Sequence, residues 1–154
     1  MPVMPSPLDK PAVGVVVVTH EGAAGPLVSA ARAVLGGDLH GVVAVPCPMA
    51  DKYPVLVEKI ANGCQMVDEG SGVLLLVDVY GSSPFHASMS LLDGNREAEV
   101  LCGVNLPMLL KLGTLDRTRL APVAIAEILR DTGRRAIRLG TELTGRGALS
   151  EKLP

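Results

Sequence analysis

The sequence predicts a single-domain α/β fold: a mainly parallel open β-sheet with helices on both faces. Three observations predict it. Short apolar runs alternate with helix-like stretches along the chain. The runs VGVVVV (13–18) and GVLLLVD (72–78) lack any apolar–polar alternation, as parallel strands covered on both faces do. The 154 residues, 48% hydrophobic and 19% charged, suit one domain with an ordinary core.

Strand one is residues 13–18. The stretch GAAGPLVSAARAVLGG follows, with Pro26 suited to a first helical turn and Leu27, Val28, Ala31, Val34 and Leu35 on one face. Gly36 and Gly37 supply its stop. GVVAVP (41–46) is the second strand. Asp51 then stands as cap of a helix whose apolar residues Tyr53, Val57, Ile60, Cys64 and Val67 are spaced 4, 3, 4, 3. GVLLLVD (72–78) is the third strand. After the turn VYGSS, Pro84 opens a short helix, PFHASMSLL. EVLCGV (99–104) is the fourth strand and LPMLLKL a helix. Residues 122–143 read as helical despite Gly133 and Gly140.

No repeat, low-complexity tract or linker divides the chain. Residues 13–145 form the expected domain. Residues 1–12, with prolines at 2, 5, 7 and 11, read as a flexible leader and not a targeting peptide, and 146–154 as a loose tail.

Composition excludes several classes. A formal charge of -2 and only three aromatic residues give neither the basic stripe nor the stacking platform of a nucleic-acid binder. No apolar run approaches the ~20 residues of a membrane span. Cys47, Cys64 and Cys102 are odd in number and scattered, unlike a disulfide framework or a zinc site. They read as reduced core cysteines of a cytoplasmic protein. No metal or cofactor is called for.

In open α/β sheets, ligands bind beyond the carboxyl ends of the strands. That rule selects His20, after strand one, and Asp78, at the end of strand three. If the two strands are neighbours, the carboxylate can hold one ring nitrogen and leave the other a lone pair for attack. Ser83 is placed as an N-cap with Pro84 at the first helical position, so backbone N–H groups and a helix dipole offer an anion cradle. The set suits a histidine that carries a phosphoryl group, with Thr19 and Ser82 beside it as further phosphate-binding candidates. Taken singly, each has a plainer role: His20 as a solvated loop residue, Asp78 as a turn residue, Ser83 as an ordinary cap. His40 reads as surface loop. His86 either lines the same pocket or sits on a partly buried helix face, and Tyr80 and Phe85 read as packing.

Three blocks in order, GVVVVTHEGAAGPLVSAA, GVLLLVDVYGSSPFHAS and EVLCGVNLPMLLKL, span residues 14–112. Together they resemble the IIA component of the mannose-type phosphoenolpyruvate:sugar phosphotransferase system. The resemblance implies a cytoplasmic, generally dimeric phosphotransferase component. It would take a phosphoryl group from the small phosphocarrier protein (HPr) and pass it to a separate IIB component, with only indirect membrane contact through the permease complex. It maps the phosphorylated histidine, reacting at Nε2, to His20. It maps the ring-orienting aspartate to Asp78 and the phosphoryl-contacting serine to Ser83. Three positions depart from the family pattern: Glu21 and Ser82 each replace a glycine, and His86 replaces an asparagine. Glu21 is expected to add negative charge near the incoming anion. Ser82 is expected to restrict a backbone that wants positive φ.

A regulatory IIA-like protein, whose phosphorylation state is read by a partner without sugar transport, is the alternative. Two other classes fail. A receiver domain phosphorylated on Asp78 needs an acidic pair on strand one, and residues 13–20 contain no acid. A serine hydrolase needs a G-x-S-x-G elbow, which Ser83 lacks.

Overall fold

The computed structural model describes residues 10–37, 39–94 and 97–145. The tail at 146–154 and most of the leader at 1–12 lie outside the described residues. Four strands, β1 (Gly14–His20), β2 (Val42–Cys47), β3 (Val73–Val77) and β4 (Ala98–Cys102), form one all-parallel sheet in the order β2-β1-β3-β4. The helices are α1 (Ala24–Leu35), α2 (Tyr53–Val67), α3 (Ser83–Met89, continued by a 3₁₀ turn at Ser90–Asp93), α4 (Leu106–Leu112), α5 (Pro122–Arg135) and α6 (Gly140–Leu143). The α/β prediction holds.

The chain leaves β1 toward one side to make β2, then crosses back over β1 to make β3. Crossovers of one hand in opposite directions put α1 and α2 on opposite faces. Alternate residues of β1 follow suit. Val15 and Val17 pack with α1, α4 and α5, while Val16 and Val18 pack with α2 and α3. This is why the run shows no polar alternation: both of its faces are core.

Gly36 ends α1 in a left-handed conformation (φ 69°), as its sequence predicts. The face of α1 is narrower than expected, because Val34 is 65% exposed. On α2 the buried set is Leu56, Ile60, Gly63, Cys64 and Val67, so Leu56 takes the place expected of Tyr53, which is 46% exposed. Asp51 does not cap α2. The N-cap is Lys52, without a side-chain bond, and the Asp51 carboxylate is drawn instead into an ion pair with Lys59. The expected helix over 122–143 is two, α5 and α6, separated by residues 136–139. Gly133 sits within α5 because a Cβ there would lie 2.4 Å from Met108 Cε of α4.

The amino end of the sheet is fastened by a buried cation. Arg117, in the α4–α5 connection, donates to the carbonyl oxygens of Val13 (2.5 Å) and His40, and its own carbonyl accepts from Val13 N–H (3.1 Å). Burial lowers the pKa of its guanidinium. His40 therefore lies at the opposite end of the sheet from His20.

Candidate functional site

Because β1 changes sides before β3, the sheet has its topological switch point between those two strands. A crevice opens there beyond their carboxyl ends. His20 is the last residue of β1, two positions further into the strand than the sequence predicts, and Asp78 directly follows β3. Val18 pairs with Val77, which brings Asp78 level with Thr19, and the Asp78 side chain reaches one residue further to His20.

The Asp78 carboxylate is held by main chain. Oδ2 accepts from the His20 backbone N–H at 2.8 Å and Oδ1 from the Val79 N–H at 2.8 Å. Both oxygens lie against the ring Nδ1 of His20, Oδ1 at 3.1 Å and Oδ2 at 3.0 Å. An ionised carboxylate only accepts, so Nδ1 carries the proton and Nε2 keeps a lone pair when the ring is neutral. The His20 side chain is 32% exposed, open enough for a second protein to reach.

His20 shares a small cavity, about 80 Å³, with Cys47, Pro48, Met49, Asp51, Leu56, Ser83 and Pro84. This brings His20 and Ser83 together. Ser82, not Ser83, is the N-cap of α3: its Oγ accepts from Phe85 N–H (3.3 Å) and donates to the Val79 carbonyl (2.7 Å). Its φ is −77°, and the positive φ the turn needs belongs to Gly81 (76°), so a serine at 82 fits without strain. Ser83, one residue into the helix, is exposed, and among the described residues its hydroxyl has no bonding partner.

Thr19 points to the other side of the sheet, the side of Val15 and Val17. It is 1% exposed, its hydroxyl has no partner among the described residues, and it does not line the cavity. His86 is exposed on α3 and stands edge-on to Phe85, at 5.2 Å between ring centres, outside the cavity. Phe85 also meets Tyr80 at 5.0 Å.

Two features go beyond what the sequence signals: the place of Cys47, and the backbone and partner of Glu21. The Cys47 thiol is part of the cavity wall. Burial pushes its pKa up to about 11, with the carboxylates of Asp78 and Asp51 adding to the effect and Lys59 opposing it. It is therefore a neutral thiol at ordinary pH and no rival nucleophile. Glu21 adopts φ 46° and turns its carboxylate to the backbone N–H of Met49, at 2.9 Å. Among the described residues no group of three or more His, Cys, Asp or Glu is placed to hold a metal ion. Nor, among the described residues, is any helix long and apolar enough to cross a membrane.

A family model described as "PTS system fructose IIA component" matches residues 14–129. The chain is similar to the PTS system mannose-specific EIIAB component of Escherichia coli K12, 33% identical over 99 residues, which are 64% of this chain and 30% of that protein. It is also similar to the PTS system fructose-specific EIIA component of Bacillus subtilis 168, 32% identical over 79 residues, 51% of this chain and 54% of that one. The matches thus span under a third and about half of these relatives. Among solved structures, phosphotransferase system component EIIA from Streptococcus agalactiae aligns with a TM-score of 0.74 at 19% identity, covering 84% of this chain and 98% of that one. The mannose/sorbose specific IIA subunit from Enterococcus faecalis gives 0.74 at 19%, covering 83% and 94%. At these identities the two structures speak for the fold.

Proposed function

Because the chain belongs to the EIIA-man family of phosphotransferase-system IIA components, we propose that it is a phosphohistidine carrier. His20 accepts a phosphoryl group from HPr and passes it to a separate IIB component in support of sugar uptake. One observation carries the reading: the Nδ1 side of the His20 ring is occupied by Asp78, at 3.0 Å, which leaves Nε2 as its nucleophilic atom.

In the accepting step the Nε2 lone pair forms the new N–P bond. The donor's N–P bond breaks, and its electron pair returns to the donor ring. The Nδ1 proton stays in place. Once Nε2 is substituted the ring is a cation, and the Asp78 carboxylate stabilises that charge while fixing the ring's angle. Handing the group to the IIB component reverses these changes. The Ser83 hydroxyl, free of capping duty, donates to a phosphoryl oxygen. The phosphoryl group brings its own charge and the reaction creates and destroys none, so the protein's task is positioning and electrostatic support. Association as a homodimer and a place of work in the cytoplasm belong to the same reading.

The test is direct. Incubation with phosphoenolpyruvate, enzyme I and HPr should add the mass of one phosphoryl group. His20→Ala should abolish the gain with the fold intact, and the bond in the wild type should be acid-labile and base-stable. Equal labelling of the variant, or a hydroxylamine-sensitive acyl phosphate, would overturn it. Onward transfer to a IIB component separates the carrier from a regulatory domain that is phosphorylated and then read by a partner.

A further inference from the structure

Glu21 is the one residue other than glycine at positive φ among the described residues. That conformation is costly for any residue bearing a Cβ and persists only where its surroundings impose it. Two bonds impose it here. The Glu21 backbone N–H donates to the Cys47 carbonyl (3.0 Å), an isolated antiparallel bridge, and Oε1 accepts from the Met49 N–H (2.9 Å). A glycine would hold the same φ without strain and keep the first bond. It would lack the second.

Both bonds run to the same short segment. Cys47, Pro48 and Met49 are one wall of the cavity that contains His20. Beyond Cys47 that wall has little packing of its own: Met49 is 76% exposed and Ala50 is exposed. Within the segment, the Asp51 N–H donates to the Pro48 carbonyl at 3.0 Å, which closes the turn but does not join it to His20. The Glu21 carboxylate supplies that join. It fixes the turn bearing the nucleophile to the wall beside it.

We infer that Glu21 is a positioning residue: its bond to Met49 N–H holds the Pro48–Met49 wall beside the His20 ring, limits the approach of water, and prolongs the life of the phosphohistidine. The inference rests on the reading of His20 as a phosphoryl carrier. The reaction it restrains is hydrolysis. Water's oxygen forms a bond to phosphorus, the Nε2–P bond breaks, and its electron pair returns to Nε2. Both water protons leave with the product as dihydrogen phosphate, and the Nδ1 proton stays. Acceptance and donation involve a docked partner in place of water, so they depend less on this wall.

The test compares wild type, Glu21→Gly and Glu21→Gln. Each is charged with phosphoramidate, a small donor that needs no partner protein, and the decay of the phosphoryl group is followed by ³¹P NMR at fixed pH. Glu21→Gly should lose the group several-fold faster and expose the Met49 amide to hydrogen exchange. Glu21→Gln places an amide oxygen where Oε1 was and should restore both the lifetime and the protection. Removing a strained residue should not lower the unfolding midpoint of Glu21→Gly, so a simple loss of fold is excluded by the same samples. Equal lifetimes in all three would overturn the inference and leave the carrier reading standing. A glutamine variant that decays as fast as glycine would also overturn it, since negative charge and not the bond would then be responsible. A wild type that takes no phosphoryl group from phosphoramidate or from HPr would bring down both.

Discussion

The Asp78 carboxylate meets His20 twice: Oδ2 accepts the residue's own backbone N–H at 2.8 Å and lies 3.0 Å from its ring Nδ1. One side chain thus fixes both the main chain and the ring of the candidate nucleophile. Asp78→Asn removes that arrangement. An amide oxygen can replace one carboxylate oxygen only, and its NH₂ group then faces the N–H of either His20 or Val79, donor against donor. The transfer rate should fall several-fold to ~10⁴-fold, as when an orienting acid is neutralised elsewhere. Stopped-flow transfer from HPr, with NMR of the His20 tautomer, checks it. An unchanged rate would remove Asp78 from the mechanism.

The neighbouring serines should separate cleanly. Ser82→Ala deletes the cap of α3 and should cost about 1 kcal/mol in urea unfolding, with a modest change in transfer. Ser83→Ala should leave stability nearly unchanged. It should slow phosphoryl transfer by the worth of one bond to a charged group, ~1.5–3 kcal/mol. The reverse pattern would mean that the wrong serine has been assigned to the phosphoryl group.

That division was only half legible in the sequence. Ser-Ser-Pro offers two competent caps in a row, and a helix start is rarely fixed to one residue by pattern alone. Asp51 failed as a cap because a lysine two turns further on, Lys59, attracts its carboxylate more than a backbone amide does. The His20–Asp78 pair was legible. Two unalternating runs signal central parallel strands, and central neighbours deliver their next residues to one edge. Glu21 was half seen as well. Its charge was plain, but glycine is the usual sign of positive φ, and a glutamate there gives no hint that its carboxylate turns to Met49. The break after Arg135 was hidden because Gly133, which reads as a weak point, is where α5 packs against α4.

Cys47 makes a prediction about alkaline pH. Its folded-state pKa, about 11, lies above the ordinary thiol value of 9.0. Between the two, the unfolded chain has released a proton that the folded chain still holds. Stability should therefore be unaffected below pH 9 and fall as pH rises toward 11. Cys102 is raised too, by burial and then by Asp78, and acts in the same direction. The difference between wild type and Cys47→Ala isolates one of them. Urea unfolding at pH 8 and pH 10.5 should show a smaller loss in the variant, and iodoacetamide should react with Cys47 only slowly at pH 8.

Arg117→Met should separate stability from chemistry. It leaves the carbonyls of Val13 and His40 without their donor, at about 1–3 kcal/mol for each one that water does not reach. Because these bonds lie at the far end of the sheet, the folded fraction should accept phosphoryl groups at the wild-type rate. A variant that is stable but slow would show that the two ends are coupled.

The strand order also sets when during folding the candidate nucleophile meets its carboxylate. Residues 14–47 can close as a local strand–helix–strand unit, but His20 and Asp78 are 58 positions apart and meet only when β3 docks on the far side of β1. Contacts so distant along the chain form late, because loop closure must be paid for before they return anything. On the proposed function, a nascent or half-folded chain would therefore have a histidine without its orienting carboxylate, and phosphoryl transfer would wait for β3 to dock. In refolding experiments the His20 ring signal should report the docking of β3 on β1 and stay silent through the closure of β1 with β2.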